Sequence, residues 1–105
     1  MKVLEREVSK RWVKAHLKEH PHDYYLRHHD CPWGVKPYDA TLFCGKITWA
    51  IEFKVDRRKK FAYTLSELPS HQLSALRAFK NGSQRRSKVV VFHSETSTWF
   101  QLEDL

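Results

Sequence analysis

Apolar residues recur at helical spacing at the start of the chain. Leu4, Val8, Trp12 and Ala15 share one face when successive residues are set 100° apart, which predicts a helix from Met1 to about Glu19, ended by His20 and Pro21. Val3, Val13 and Leu17 form a second apolar stripe, so this helix is either sandwiched in the domain or in contact with a partner. The period then changes. Asp23 to Arg27 is an aromatic stretch suited to a short strand, whereas His28 to Pro37 shows no periodicity. Tyr38 to Cys44 reads as a second strand and Ile47 to Val55 as a third, joined through Gly45 and Lys46 into an antiparallel meander. After a charged turn at Asp56 to Lys60, Pro69 opens a second helix running to about Phe79, which Asn81 and Gly82 terminate. Val89 to Phe92 reads as a strand buried on both faces, and Trp99 to Leu102 as a short last one. The order α-β-β-β-α-β predicts a single α/β domain over residues 1–105, without internal repeats.

Composition narrows what such a domain does. At 105 residues, 41% hydrophobic and 13% aromatic, the chain builds a core without obligatory metals or disulfides. Its apolar runs fall far short of the roughly 20 residues of a membrane span, and no secretory segment opens it, so a cytoplasmic location is expected, whether at the nucleoid or in a phage-infected host. The two cysteines, Cys31 and Cys44, lack CxxC spacing; reduced thiols are expected, and a cysteine-built zinc site is not. With three glycines there is no phosphate-cradling loop, which argues against a nucleotide cofactor. The net charge of +7 points to a polyanionic partner. The question becomes whether the domain binds nucleic acid or also cuts it.

Alternation in the third strand places Ile47, Trp49, Ile51, Phe53 and Val55 on one face and Thr48, Ala50, Glu52 and Lys54 on the other. A hairpin near Gly45 brings Asp39 toward Glu52, and two carboxylates flanking one site are what Mg²⁺ accepts, with water, phosphate oxygens and the Phe53 carbonyl as further oxygen donors. Lys54 would then orient the attacking water or offset charge on the phosphate. The alternative is an ion pair between Glu52 and Lys54 on the wet face of an antiparallel sheet, worth little. In the second helix Gln72 falls on the same face as Leu76 and Phe79, so its amide is either satisfied by backbone groups or turned toward the metal site; His71 lies off that face.

Asp39, then twelve residues, then Glu52-Phe53-Lys54 resembles the motif of the PD-(D/E)XK nuclease superfamily. Within it, FAYTLSELPSHQLSAL, from Phe61 to Leu76, resembles the corresponding segment of the archaeal and Gram-positive Holliday-junction resolvases, and LEREV resembles the first helix of the archaeal members. The resemblance spans about residues 4 to 92. It implies a restriction-endonuclease-like core, a central mixed sheet of four to five strands flanked by helices. It implies too that Asp39 and Glu52 ligate Mg²⁺ (Mn²⁺ substituting), that Lys54 assists the water, that Gln72 lies beside them and that Glu5 completes the site. Glu5 borders the Leu4, Val8, Trp12 face; its alternative role is that of a solvated charge favoured by the helix dipole. Two features depart from the family pattern. Tyr38 separates Pro37 from Asp39, and the loop after the first strand holds His28, His29, Asp30, Cys31, Pro32 and Trp33 where the archaeal resolvases carry small Gly and Ser residues. Adjacent histidines seldom both reach one ion, which argues against a transition-metal site at His28, His29 and Asp30.

Two basic clusters are expected in turns at element ends, Arg57, Arg58, Lys59 and Lys60, then Arg85, Arg86 and Lys88. They are either phosphate contacts that position a duplex or ordinary solvated loops. Trp33 or Trp99 is either a base-stacking group or part of the core. Paired, symmetric nicks need two active sites, so the resemblance implies a homodimer, for which the second apolar stripe offers a surface. The expected function is a Mg²⁺-dependent endonuclease hydrolysing DNA phosphodiesters, acting on branched DNA such as a Holliday junction. The alternatives are a phage or mobile-element nuclease cutting ordinary duplex, and a non-catalytic DNA-binding module with the same fold.

Overall fold

The computed structural model describes residues 4–29 and 36–105. Val3 of the second stripe and Asp30, Cys31, Pro32 and Trp33 of the first long loop lie outside them. Helix α1 (Glu5–Glu19) is followed by strands β1 (Tyr24–Arg27), β2 (Ala40–Cys44) and β3 (Ile47–Asp56), a 3₁₀ turn at Leu65–Glu67, helix α2 (Ser70–Lys80), and strands β4 (Arg85–His93) and β5 (Thr98–Leu102). One five-stranded sheet runs in the order β1-β2-β3-β4-β5. Only the β3–β4 pair is parallel. A parallel pair cannot be closed by a hairpin, and the 3₁₀ turn with α2 forms the crossover. The β2–β3 hairpin turns at Gly45, whose φ of +57° is a left-handed conformation that glycine adopts without strain.

The alternation along β3 separates two cores. Ile51 and Phe53 pack with Val8, Trp12, Ala40, Leu42, Val90 and Phe92 beneath α1. On the opposite face, Ala50 packs with Leu68, Leu76, Val89 and Val91 beneath α2. In α1, Val8 and Trp12 are buried, while Leu4, the residue just before the helix, is exposed. Of the second stripe, Val13 packs against the α1 core and Leu17 is half-buried, so part of that stripe is spent inside the domain.

The second basic cluster does not lie in a turn. Pairing with β3 begins at Thr48 opposite Arg85, so β4 starts four residues before the apolar run. Ladder hydrogen bonds override the low strand propensity of a basic stretch, and long cationic side chains lie along aromatic surface. Arg85 stacks over Phe79 and Arg86 over Trp49, at 5.1 and 5.9 Å. Lys88 corrects the expectation further: it is buried on the α1 side, where its Nζ donates to Gln101 Oε1 (2.9 Å) and lies 4.4 Å from the Trp49 ring. Burial holds its ammonium below the ordinary lysine range.

Candidate active site

The end of β2 creates the site. Ala40 is opposite Ile51, so Asp39 projects beside Glu52 where the ladder stops. The Phe53 amide, which β2 no longer reaches, donates to Asp39 Oδ2 (2.8 Å). Within a strand a residue's N–H and C=O leave on the same side, so the Phe53 carbonyl points toward the edge that Asp39 occupies. Lys36 Nζ holds the other carboxylate oxygen of Asp39 at 2.8 Å.

Glu52 is 3% exposed. Its Oε2 lies 3.5 Å from Lys54 Nζ, while its Oε1 is buried without a hydrogen-bond partner. Burial first, and the neighbouring Asp39 carboxylate second, push the Glu52 carboxyl up to about 8. Lys54 Nζ also lies 3.8 Å from Glu5 Oε1 at the start of α1. From α2, Gln72 brings a second partnerless buried oxygen, its Oε1. Glu5, Asp39, Glu52, Lys54 and Gln72 therefore line one cleft of about 220 Å³, with Arg6, Ser9, Arg27 and Lys36 completing its wall. Two adjacent carboxylates, a carbonyl at a free strand edge and a partnerless amide oxygen make an all-oxygen donor set, which fits a hard divalent cation.

Several of these neighbours had no signal in the pattern of the chain. Arg27 reaches Ser9 Oγ (2.6 Å) across the gap between β1 and α1, a contact no sequence period encodes. Tyr63 lies outside the cleft wall, packed against the core beneath α2. Its buried hydroxyl lacks a partner, and burial, with Glu67, Glu52 and Glu5 nearby, pushes it up to about 12. His71 is exposed, as its position off the packed face of α2 predicts.

The basic turn after β3 divides in two. Arg58 is tied down: its Nε donates to Asp56 Oδ1 (2.8 Å) and its Nη2 to Glu67 Oε2 (3.0 Å). All four side chains, Arg57 to Lys60, are exposed, and the division lies in pairing: the ion pairs hold Arg58 and not Lys59 or Lys60. Trp99 is exposed on one side and packs at a tilt of 53° against Phe92. His28 donates to or accepts from Thr41 Oγ1 at 2.7 Å, and Asp30 of the histidine cluster is outside the described residues. Among the described residues, no helix is long and apolar enough to cross a membrane.

No protein-family model matches the sequence. No curated protein matches it either. Solved structures do, among them a Holliday junction resolvase, Hjc, from the archaeal hyperthermophile Archaeoglobus fulgidus. It is 21% identical, and the match covers 89% of this chain and 73% of that one with a TM-score of 0.59. The mixed sheet, its flanking helices and the element order are thus those of the fold that this resolvase has.

Proposed function

We propose that the protein is a divalent-metal-dependent endonuclease that hydrolyses DNA phosphodiesters, with branched DNA such as a Holliday junction as its substrate. The observation that carries this reading is the pair of buried, partnerless oxygens, Glu52 Oε1 and Gln72 Oε1, facing the cleft that holds Asp39. Leaving such groups unsatisfied costs about 1–3 kcal/mol each, and a fold that needed only to bind DNA would gain nothing from them. Asp39, Glu52 and the Phe53 carbonyl would hold Mg²⁺, or Mn²⁺ in its place. When bound, the cation supplies Lewis acidity toward a phosphate oxygen and makes water a better nucleophile near neutral pH.

The chain's own groups do the rest. Lys54, braced by Glu52 and Glu5, holds the attacking water and offsets negative charge developing on the phosphate. Gln72 accepts a hydrogen bond from that water through its free amide oxygen. Arg57, Lys59 and Lys60, exposed just beyond β3, hold the DNA backbone. Paired nicks across a junction require a second active site, so the working unit is a homodimer. Tyr24, Leu26 and Phe43, large apolar side chains left exposed, support a second copy docking beside the cleft: the β1–β2 register puts them on the face that carries Asp39. Such an enzyme works where its DNA lies, in the cytoplasm or at the nucleoid.

The test is cleavage of a four-way junction, a fork, a nicked duplex and a linear duplex in Mg²⁺, with Glu52→Gln alongside. Symmetric paired nicks on the junction, absent in the variant, are expected. Equal cutting of linear duplex would replace the junction by ordinary duplex as the substrate. Salt-sensitive binding without cleavage in Mg²⁺ or Mn²⁺ would leave only a binding module.

A further inference from the structure

At the far end of β2 from Asp39 lies a second cluster with different chemistry. His16 Nε2 is 2.7 Å from Asp23 Oδ2, and Cys44 Sγ is 3.1 Å from that same oxygen. One potential ligand atom from each residue lies within 4.8 Å of the other two. The three come from the last turn of α1, the residue before β1 and the last residue of β2. They are brought together because Tyr24 pairs with Phe43, which sets Asp23 opposite Cys44.

We propose that His16, Asp23 and Cys44 form a site for a soft-to-borderline divalent transition metal, of which Zn²⁺ is the type, separate from the hard-cation cleft. A nitrogen, an oxygen and a sulfur donor converging on one point are three of the four positions of a tetrahedral zinc centre, with the fourth open to water. Ligand atoms around such an ion lie about 3.3–3.6 Å apart, given metal–ligand bonds of about 2.0–2.3 Å. The two contacts to Asp23 Oδ2 are shorter because protons bridge them, and each must open by roughly half an ångström to admit the ion, which then fixes the His16–Cys44 separation, now within 4.8 Å. The donor on α1 is held ready. His16 is stacked on Trp12, with ring centroids 5.0 Å apart and planes 15° from parallel, and is flanked on its other side by His20 at 4.7 Å. Its side chain and that of Asp23 are 18% and 16% exposed, enough for an ion to enter.

The charges balance. Binding releases the Cys44 Sγ–H proton to solvent and shifts the proton that His16 Nε2 donates to Asp23 onto Nδ1 through solvent, freeing Nε2 for the ion, so that thiolate and carboxylate together offset its two positive charges. No oxidation is involved. In the metal-free protein the thiol stays protonated, pushed up to about 11 by burial and by Asp23, and it donates to that carboxylate. The bound ion would fasten α1 to the β1–β2 hairpin, a useful tie for a domain of this size.

The experiment is titration of the chelator-treated full chain with Co²⁺ and then Zn²⁺. We expect one Co²⁺ per chain, with a thiolate-to-cobalt charge-transfer band and the intense visible bands of tetrahedral cobalt, displaced by Zn²⁺. Glu52→Gln, which disables the cleft, keeps these bands, and so does Cys31→Ser. Cys44→Ser abolishes the charge-transfer band, and His16→Ala weakens binding at least about tenfold. Absence of the band in the unaltered chain, or its persistence in Cys44→Ser, would overturn the site. A band that survives in Glu52→Gln while cleavage is lost separates this proposal from the nuclease reading.

Discussion

Glu52 and Asp56 lie on the same face of β3, each 3% exposed, yet their surroundings are opposite. Asp56 is saturated. Its Oδ1 accepts from the Arg58 backbone amide and Nε, and its Oδ2 from Arg58 Nη2 and the amides of Ala62 and Tyr63, at 2.8 to 3.2 Å. Those bonds, Arg58 foremost, hold its carboxyl well below the ordinary range. Glu52 has one oxygen unpaired and a second carboxylate beside it, and its carboxyl is pushed up. Burial is a cost to the charged form of both, the first cause of the shift at Glu52 and one that the Arg58 hydrogen bonds outweigh at Asp56. Where donors offset that cost, the carboxylate serves the fold by anchoring the loop that leads to α2. Where they do not, the carboxyl holds its proton up to about pH 8 and keeps an oxygen unpaired, an arrangement useful only if something else completes it.

Removing each carboxylate in turn is the sharpest way to break this contrast. Glu52→Gln or Asp39→Asn is expected to lower Mg²⁺-dependent junction cleavage by about a thousandfold or more, while thermal unfolding shows stability unchanged or raised. Asp56→Ala should do the reverse. Loss of a buried acceptor with several donors is expected to cost about 2–3 kcal/mol, or roughly 10–20 °C in Tm. Cleavage per folded molecule, measured well below the new Tm, should stay within about threefold. If Asp56→Ala abolishes cleavage in a fully folded protein, the division between the two carboxylates is wrong.

The pH dependence sharpens the same contrast. Because the Glu52 carboxyl is raised to about 8, the folded protein keeps a proton that the unfolded chain releases. Stability therefore falls as pH rises from roughly 4.5 to 8, by up to about 1.4 kcal/mol per unit. Urea midpoints across that range should show the slope, and Glu52→Gln should flatten it. Asp56, held low, has the opposite sign: its contribution is complete above about pH 5 and is lost as pH falls further. Asp56→Asn should remove that acid-side loss and leave the neutral slope in place.

What could be read from the chain follows the same division. Period-two alternation was enough to put Glu52 and Lys54 on the face opposite Ile51 and Phe53, and helical spacing to turn Gln72 inward with Leu76. Both are local patterns. The saturation of Asp56 is invisible there, because its donors come from a loop without a period. The length of β4 escaped for a related reason: its first residues are held by register with β3, not by their own propensity. His16, Asp23 and Cys44 carry no ligand spacing at all. Their meeting depends on which residue of β2 stands opposite which residue of β1.

Cations after β3 divide as the carboxylates do, and they give the smallest effect. Arg58, though exposed like its neighbours, is already paired with Asp56 and Glu67, so it has little charge left to offer a phosphate, whereas Lys59 and Lys60 are exposed outside those pairs. Each phosphate contact contributes close to one unit to the slope of log affinity against log salt. The double variant Lys59→Ala/Lys60→Ala should therefore lower that slope by about two and weaken binding of every DNA form alike. Arg58→Ala should leave the slope nearly unchanged and lower stability instead, since it strips Asp56 of its charged partner. Lys88→Met should also leave the slope unchanged, because that ammonium lies between indole rings inside the sheet. Measuring the slopes of all three variants on one junction decides whether accessible, unpaired charge or mere charge governs DNA binding. A loss of slope in Arg58→Ala equal to that of a lysine would show that its ion pairs open on binding, and that Asp56 is less saturated in the complex than in the free protein.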